Sequence, residues 1–240
     1  MAGRVAYTGG IVRNGLVLNL DAAKRDSYPK TGTVWSDISG NGNNGILNGA
    51  TGGLPSYNSA NGGYISFDGT DDYVDLGDKD IFDGFSSYSL SIWVYINAFN
   101  TYTAFFHKWG SGGYSYFLGA WNDNFKVTAG ENYATNTGGK VGSYGDVSTT
   151  ALQTGRWYNI VYTSTINNIS LYINGVLDNS IANSWRGGNI INGTTSLKLA
   201  THYDAPTYTN CRISNSMIYN RALSATEVLQ NYNALKNRYI

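Results

Sequence analysis

The chain has one cysteine, three prolines and two methionines in 240 residues, and its charges cancel, with 16 Lys and Arg against 16 Asp and Glu. With Cys211 alone, an intrachain disulfide and a cysteine-based zinc cluster are excluded by counting, and the residue reads as a small buried apolar side chain. Zero net charge removes the electrostatic footprint of a nucleic-acid binder, which argues against DNA and RNA as partners. No apolar run is long enough to cross a bilayer, so no membrane partner is expected. The opening MAGRVAYTGGIVRNGLVLNLD lacks the basic region and uninterrupted apolar run of an export signal, so synthesis in a cytoplasm is expected. Glutamate and histidine are scarce too: Glu131 and Glu227, and His107 and His202, are all there are.

What is abundant is Gly, at 30 residues, and Tyr, at 20, with much Asn, Ser and Thr. β-Branched and aromatic residues suit strands while Gly and Asn suit tight turns, so the composition predicts an all-β chain with little helix. No Pro-rich or charged linker divides it, which predicts one domain over residues 15–240 preceded by an arm, Met1 to Asn14. Arg156 to Ile181 predicts three consecutive strands: Trp157, Ile160 and Tyr162 open an apolar run, and Ile169, Leu171 and Ile173 alternate. Asn174-Gly175 then fits a two-residue hairpin that returns Val176 and Leu177 beside Leu171 and Ile173. Further strands are predicted at Gly15–Asp21, Ser89–Ile96, Thr103–Trp109, Tyr114–Trp121, Ser196–Ala200 and Cys211–Tyr219. Apolar residues in the middle strands fall on both alternating faces, as expected where a second layer covers the sheet. Asn122 to Val147, rich in Gly and Asn, predicts long loops with weak strand signals, with Glu131 in one of them. Ser224-Ala-Thr-Glu227 is a capping box, and Val228, Leu229, Tyr232 and Leu235 predict a short helix that seals one end of the fold.

Asp68 to Asp80 is the most acidic stretch, and clustered carboxylates repel unless water, N–H groups or a divalent cation offsets them. Asp68, Asp71 and Asp72 are therefore the first calcium candidates, weighed against a solvated turn. Asp37, Asn41, Asn43 and Asn44 read first as side chains bonding their own loop and second as cation ligands. His107 and His202 read as surface or rim residues, with no nucleophile or zinc pattern beside them. Sugar rings are held by aromatic faces with amides and carboxylates nearby; Trp109, Trp121, Trp185, Tyr203 and Tyr208 with Asn122, Asp123 and Asp204 are the candidates. Trp109 and Trp121 read first as core. The rim-loop residues Tyr203, Asp204 and Tyr208, and behind them Trp121 and Asp123, are the expected contacts to a glycan or partner.

Trp35-Ser-Asp-Ile-Ser-Gly-Asn-Gly-Asn-Asn-Gly45, Phe67-Asp-Gly-Thr-Asp-Asp-Tyr-Val74, Trp157 to Gly175 and Ile218-Tyr-Asn-Arg-Ala-Leu-Ser224 stand in one order along the chain. In that order they resemble the laminin-G-like branch of the concanavalin A-like lectin and glucanase superfamily. The resemblance implies a jelly-roll sandwich of two antiparallel sheets, one concave and one convex, with rim loops that often hold calcium or sugar. Ser214 and Asn215 depart from an acidic pair common in relatives, whose Asp can serve a calcium site behind the sheet; a backbone-dominated site including Asp21 remains open. Glycoside hydrolases of the superfamily commonly place two Glu alternately along one strand, which two glutamates this far apart cannot do. No catalytic residue and no organic cofactor is therefore expected, with a glycoside hydrolase kept as a remote alternative. Gly15 to Ala22 and Tyr219 to Asn233 also look like laminin-G-like proteins of tailed bacteriophages. That implies a non-enzymatic virion component, a capsid decoration protein or part of a fibre, forming homo-oligomers against major capsid or other virion proteins. The alternative is a carbohydrate-binding adhesion module for host-receptor recognition or for a cell surface.

Overall fold

A computed structural model of the chain describes residues 9–110, 114–121, 124–134, 140–183, 187–202 and 207–239. Strands follow one another as β1 (Leu16–Asp21), β2 (Val34–Trp35), β3 (Gly45–Asn48), β4 (Ser56–Asn58), β5 (Tyr64–Asp68) and β6 (Tyr73–Asp75). Next come β7 (Tyr88–Ile96), β8 (Tyr102–Lys108), β9 (Tyr116–Trp121), β10 (Lys126–Ala134), β11 (Lys140–Ala151) and β12 (Trp157–Ser164). The remainder are β13 (Asn168–Ile173), β14 (Val176–Ala182), β15 (Lys198–Leu199), β16 (Thr201–His202), β17 (Thr207–Tyr208) and β18 (Asn210–Tyr219), before helix α1 (Ala225–Leu235).

They form two antiparallel sheets in a jelly-roll sandwich. The first runs β14-β13-β12-β7-β18-β5-β4, with β1 pairing the second half of β18. The second runs β11-β10-β9-β8-β15-β6-β3-β2, and β16 and β17 make a small ladder of their own. The Asn174-Gly175 turn has φ of 52° and 78°, the left-handed pair that a two-residue hairpin needs, and it sets Ile173 opposite Val176 and Tyr172 opposite Leu177. Leu90, Ile92, Val94 and Ile96 of β7 and Tyr158, Ile160 and Tyr162 of β12 point inward, where they meet Val74, Phe106, Leu118, Val127 and Leu199 of the second sheet. One core cluster joins the sheets.

Two expectations change here. Much of the supposed loop region is the long β10–β11 hairpin, in which Val127, Ala129, Glu131 and Tyr133 alternate inward. Glu131 thus sits on a core-facing strand position. The helix does not seal an end: it lies across the outer face of the first sheet, where Val228 and Leu235 join Leu16, Trp93, Val161, Tyr172, Met217 and Tyr219. Leu229 points away from that face and is 45% exposed, while the polar Asn231, outside the expected apolar pattern, is buried on it. The capping box is formed, with Ser224 accepting the Glu227 N–H at 3.3 Å and Glu227 accepting the Ser224 N–H at 2.9 Å.

The described part of the N-terminal arm is stitched to the same layer. The Val12 N–H donates to Asn231 Oδ1 at 2.8 Å, the Tyr219 hydroxyl donates to the Val12 carbonyl at 2.9 Å, and Gln230 donates to the Gly10 carbonyl at 2.9 Å. Beyond the helix, Tyr239 stacks on Trp93 at 4.0 Å and Tyr232 on the same indole at 5.6 Å. Arg238 clasps both oxygens of Asp21 at 2.8 and 3.0 Å. The middle of the first sheet's outer face is covered by α1, Tyr239 and the Val12 strap, while Tyr95, Trp157 and Arg212 stay partly exposed beside it.

Candidate functional site: the open aromatic face and the acidic turn

No helix lies on the outer face of the second sheet among the described residues; its middle, at His107, Phe117, Gly119 and Thr128, is buried, and aromatic rings around it stay partly exposed. Because Tyr116, Leu118 and Ala120 of β9 point into the core, Phe117, Gly119 and Trp121 point outward, and across the register β8 contributes Tyr102 and His107. The β16–β17 ladder lies against β8, held by the Thr209 hydroxyl, which accepts from the Ala104 N–H at 2.9 Å and donates to its carbonyl at 3.0 Å. That placement lays His202 on Tyr102, ring on ring at 4.7 Å, and 4.4 Å from His107. Trp121 meets Tyr102 edge-on at 5.9 Å, and at the other end Phe117 meets Trp109 at 5.4 Å, which packs on Tyr114 at 5.1 Å. A row of rings therefore crosses the face. Trp121, Tyr102 and Trp109 are partly exposed, and Tyr114 is 39% exposed.

Beside the row, Tyr208 of β17 meets Tyr73 of β6 at 6.2 Å, and the Lys198 ammonium sits over the Tyr73 ring at 4.9 Å. Lys198 pairs across the ladder with His107 on one side and Asp75 on the other. Further along, Asp146 accepts from the Thr128 hydroxyl at 3.1 Å. Partly exposed rings flanked by ammonium, carboxylate and hydroxyl groups are the chemistry that holds a sugar ring by its C–H face and its hydroxyls.

His107 is no rim residue. It is buried, and burial together with His202 and Lys198 pushes its pKa down to about 3, so the imidazole is neutral near pH 7. Its Nε2 has no hydrogen-bond partner among the described residues. Trp109 and Trp121 are likewise not core but members of the outer row. The structure brings Trp121 and Tyr208 to this face; Tyr203, Asp204 and Asp123, with Asn122 and Trp185, lie outside the described residues. Sequence reading missed Tyr102, Tyr114, Phe117, His202 and Lys198, although the alternation Phe117-Gly119-Trp121 against Tyr116-Leu118-Ala120 carried part of the signal.

The acidic candidates separate. One carboxylate oxygen from each of Asp68, Asp71 and Asp72 lies within 4.8 Å of the other two. Burial, with Asp68 and Asp71 adding to it against a bond from the Asp68 N–H, raises the Asp72 pKa to about 6. Asp21 is not with them: its carboxylate is paired with Arg238. Ser214 donates to the Gly63 carbonyl at 2.6 Å and accepts from Tyr239 at 2.7 Å. Asp37 is filled by its own loop and β1, taking N–H groups from Asn19, Ser39 and Asn43 at 2.8 to 2.9 Å, and Asn41 and Asn43 bond carbonyls of β1.

Both glutamates are engaged in structure. The Tyr88 and Tyr162 hydroxyls donate to Glu131 Oε1 at 2.6 and 2.7 Å, and Tyr133 donates to Oε2. Burial and the neighbouring Glu131 hold the Tyr88 and Tyr162 hydroxyls protonated, their pKa values pushed well up. Glu227 is taken by Arg221 at 2.7 and 2.9 Å and by the helix cap. Neither stands on the open face. Cys211 is buried and its thiol pKa is pushed up, first by that burial.

A laminin-G-type family model described as the concanavalin A-like lectin/glucanases superfamily matches residues 68–229, well over half of the sequence. The chain belongs to the concanavalin A-like lectin/glucanases superfamily. Solved structures agree on the fold of this superfamily member. Domain 4 of AbnA, a GH43 extracellular arabinanase from Geobacillus stearothermophilus, in complex with arabinotriose, is 22% identical, with a TM-score of 0.64 over 90% of this chain and 98% of that one. The binding domain of Paraclostridial Mosquitocidal Protein 1 is 17% identical with a TM-score of 0.64, over 92% of this chain and 52% of that one. The binding domain of botulinum neurotoxin DC in complex with SialylT is 15% identical with the same score, over 93% and 52%. The concanavalin A-like chain thus spans about half the length of the toxin binding domains it resembles. At these identities the likeness speaks to the fold. No curated protein matches the sequence.

Proposed function

We propose that the chain is a non-catalytic carbohydrate-binding module that holds a glycan against the open outer face of its second sheet. The observation that carries this reading is the row Trp121, Tyr102, His202, His107, Phe117, Trp109 and Tyr114, in which buried His107 and Phe117 support five partly exposed rings. Support comes from the superfamily and from two structures of the same fold whose complexes hold arabinotriose and SialylT. Glycoside hydrolysis needs two carboxyl groups flanking a bond, about 5 to 9.5 Å apart. The engagement of Glu131 and Glu227 in a tyrosine cage and a helix cap supports a binding role instead. The test is a glycan array with and without calcium, followed by titration of any hit against Trp121→Ala and Tyr102→Ala. Each loss of a stacking ring should weaken binding by about 1 kcal/mol, or five- to tenfold. A silent array, or variants that bind as the parent does, would overturn the proposal.

The setting we propose for the module is the particle of a tailed bacteriophage, as a capsid decoration or fibre component present as a homo-oligomer, displaying the open face outward. Supporting it are the wording of Gly15 to Ala22 and of Tyr219 to Asn233 and the Tyr- and Asn-rich composition. Mass spectrometry and antibody labelling of purified particles test it. Many symmetric copies on a capsid or a few at a fibre tip are the expected results; absence from particles contradicts it.

A further inference from the structure

The carboxylates of the turn after β5 are each fixed by one oxygen to a backbone N–H. Asp68 Oδ1 accepts from Thr70 at 2.7 Å, Asp72 Oδ2 accepts from Asp68 at 3.0 Å, and Asp71 Oδ2 accepts from Thr51 in the loop joining β3 to β4. That leaves the second oxygens. Asp71 Oδ1 and Asp72 Oδ1 are both buried and accept no hydrogen bond among the described residues, and Asp72 as a whole is only 4% exposed. A buried carboxylate oxygen with no donor is costly, so its retention beside two further carboxylates points to a missing positive partner.

The loop above supplies the rest of a cradle. A Cβ added at Gly49 would stand 2.4 Å from the Gly53 carbonyl oxygen, 2.5 Å from Asp72 Oδ1 and 3.4 Å from Asp71 Oδ1. Three oxygens therefore converge on the open side of Gly49, where no side chain fits. Asp68 Oδ2 closes the group from the side of Gly52, 3.7 Å from where that residue's Cβ would be. Calcium binds oxygen at about 2.3 to 2.6 Å, so one ion bridges oxygens up to about 5 Å apart. The mutual spacing of the three carboxylates, within 4.8 Å, meets that condition.

We propose that Asp68, Asp71, Asp72 and the Gly53 carbonyl form a calcium site that ties the 49–53 loop to the 68–72 turn. Water completes the coordination. The site adjoins the aromatic face without depending on what that face binds: Tyr73 follows Asp72 directly and its ring meets Tyr208. Bound calcium would fix that edge of the face.

Isothermal titration of calcium chloride into the chelator-treated full chain tests it. One saturable site per chain is expected. Asp72→Asn and Asp71→Asn should each weaken it by at least about tenfold, the scale seen when a metal's supporting groups are lost. Asp178→Asn, distant in the fold, and Trp121→Ala should both bind calcium as the parent does. Asp71 is partly exposed, so its variant decides the matter if Asp72→Asn unfolds by circular dichroism. No saturable calcium binding by the folded chain, or unchanged affinity in the variants, overturns the proposal.

Discussion

The two outer faces of the sandwich are built from similar residues and are covered by different means. On the first sheet, Trp93, Val161, Tyr172, Met217 and Tyr219 are buried under α1, Tyr232, Tyr239 and the strap around Val12. On the second sheet, Trp121, Tyr102, Trp109 and Tyr114 form a row of comparable apolar character, and it stays partly exposed. An aromatic surface left partly open stands to gain free energy from a partner, whereas a covered one has already gained it within the chain.

The largest expected effect is on the covered face. Trp93→Ala removes a ring that stacks on both Tyr232 and Tyr239, and should destabilise by about 3 to 5 kcal/mol in urea unfolding. Trp121→Ala on the open face should cost about 1 kcal/mol or less while reducing glycan affinity. Equal stability losses at the two tryptophans would erase the distinction between the faces.

Next is the clasp that ends the cover. Arg238→Ala leaves the Asp21 carboxylate buried without its cation, and should cost about 3 kcal/mol by thermal or urea unfolding. A loss no larger than that of a surface pair would show that the chain end does not depend on it.

Acid separates the faces more gently. His107 has a folded pKa of about 3 against an ordinary 6.5, so the unfolded chain takes up the proton more readily and stability should fall as pH drops below about 6.5. His107→Phe should flatten that upper limb of the curve. Glu227 is held down to about 2 from 4.5 by Arg221, then by the cap, so its contribution is intact above about 4.5 and is lost as pH falls toward 2. Partly exposed, that pair should account for about 1 to 2 kcal/mol, and Glu227→Gln should remove only this lower limb.

Much of this architecture was legible because strand alternation and turn chemistry are local. Asn174-Gly175 predicted the hairpin that formed, and apolar residues on both faces of the middle strands, β7 among them, predicted a covering layer, although not that over β7 a helix and the arm would supply it. The β10–β11 hairpin was obscured because Glu131 occupies an inward position that alternation expects to be apolar. The hydroxyls of Tyr88 and Tyr162, brought from the opposite sheet, join Tyr133 in making that position tenable. His107 was read as surface because its burial depends on His202, almost a hundred residues away in sequence. Asp21 could not be assigned before Arg238 was seen to reach it. The convergence of Asp68, Asp71 and Asp72 was local and readable, while the Gly49–Gly53 loop over them was not.

The most direct test of the open-face account is chemical-shift mapping of the isotope-labelled chain with a glycan identified on the array. Shifts concentrated on Trp121, Tyr102, Phe117, Trp109 and Tyr114, with the signals of Trp93 and α1 unmoved, are the predicted result. Shifts centred on α1 and the first sheet, or the absence of any saturable change, would contradict it.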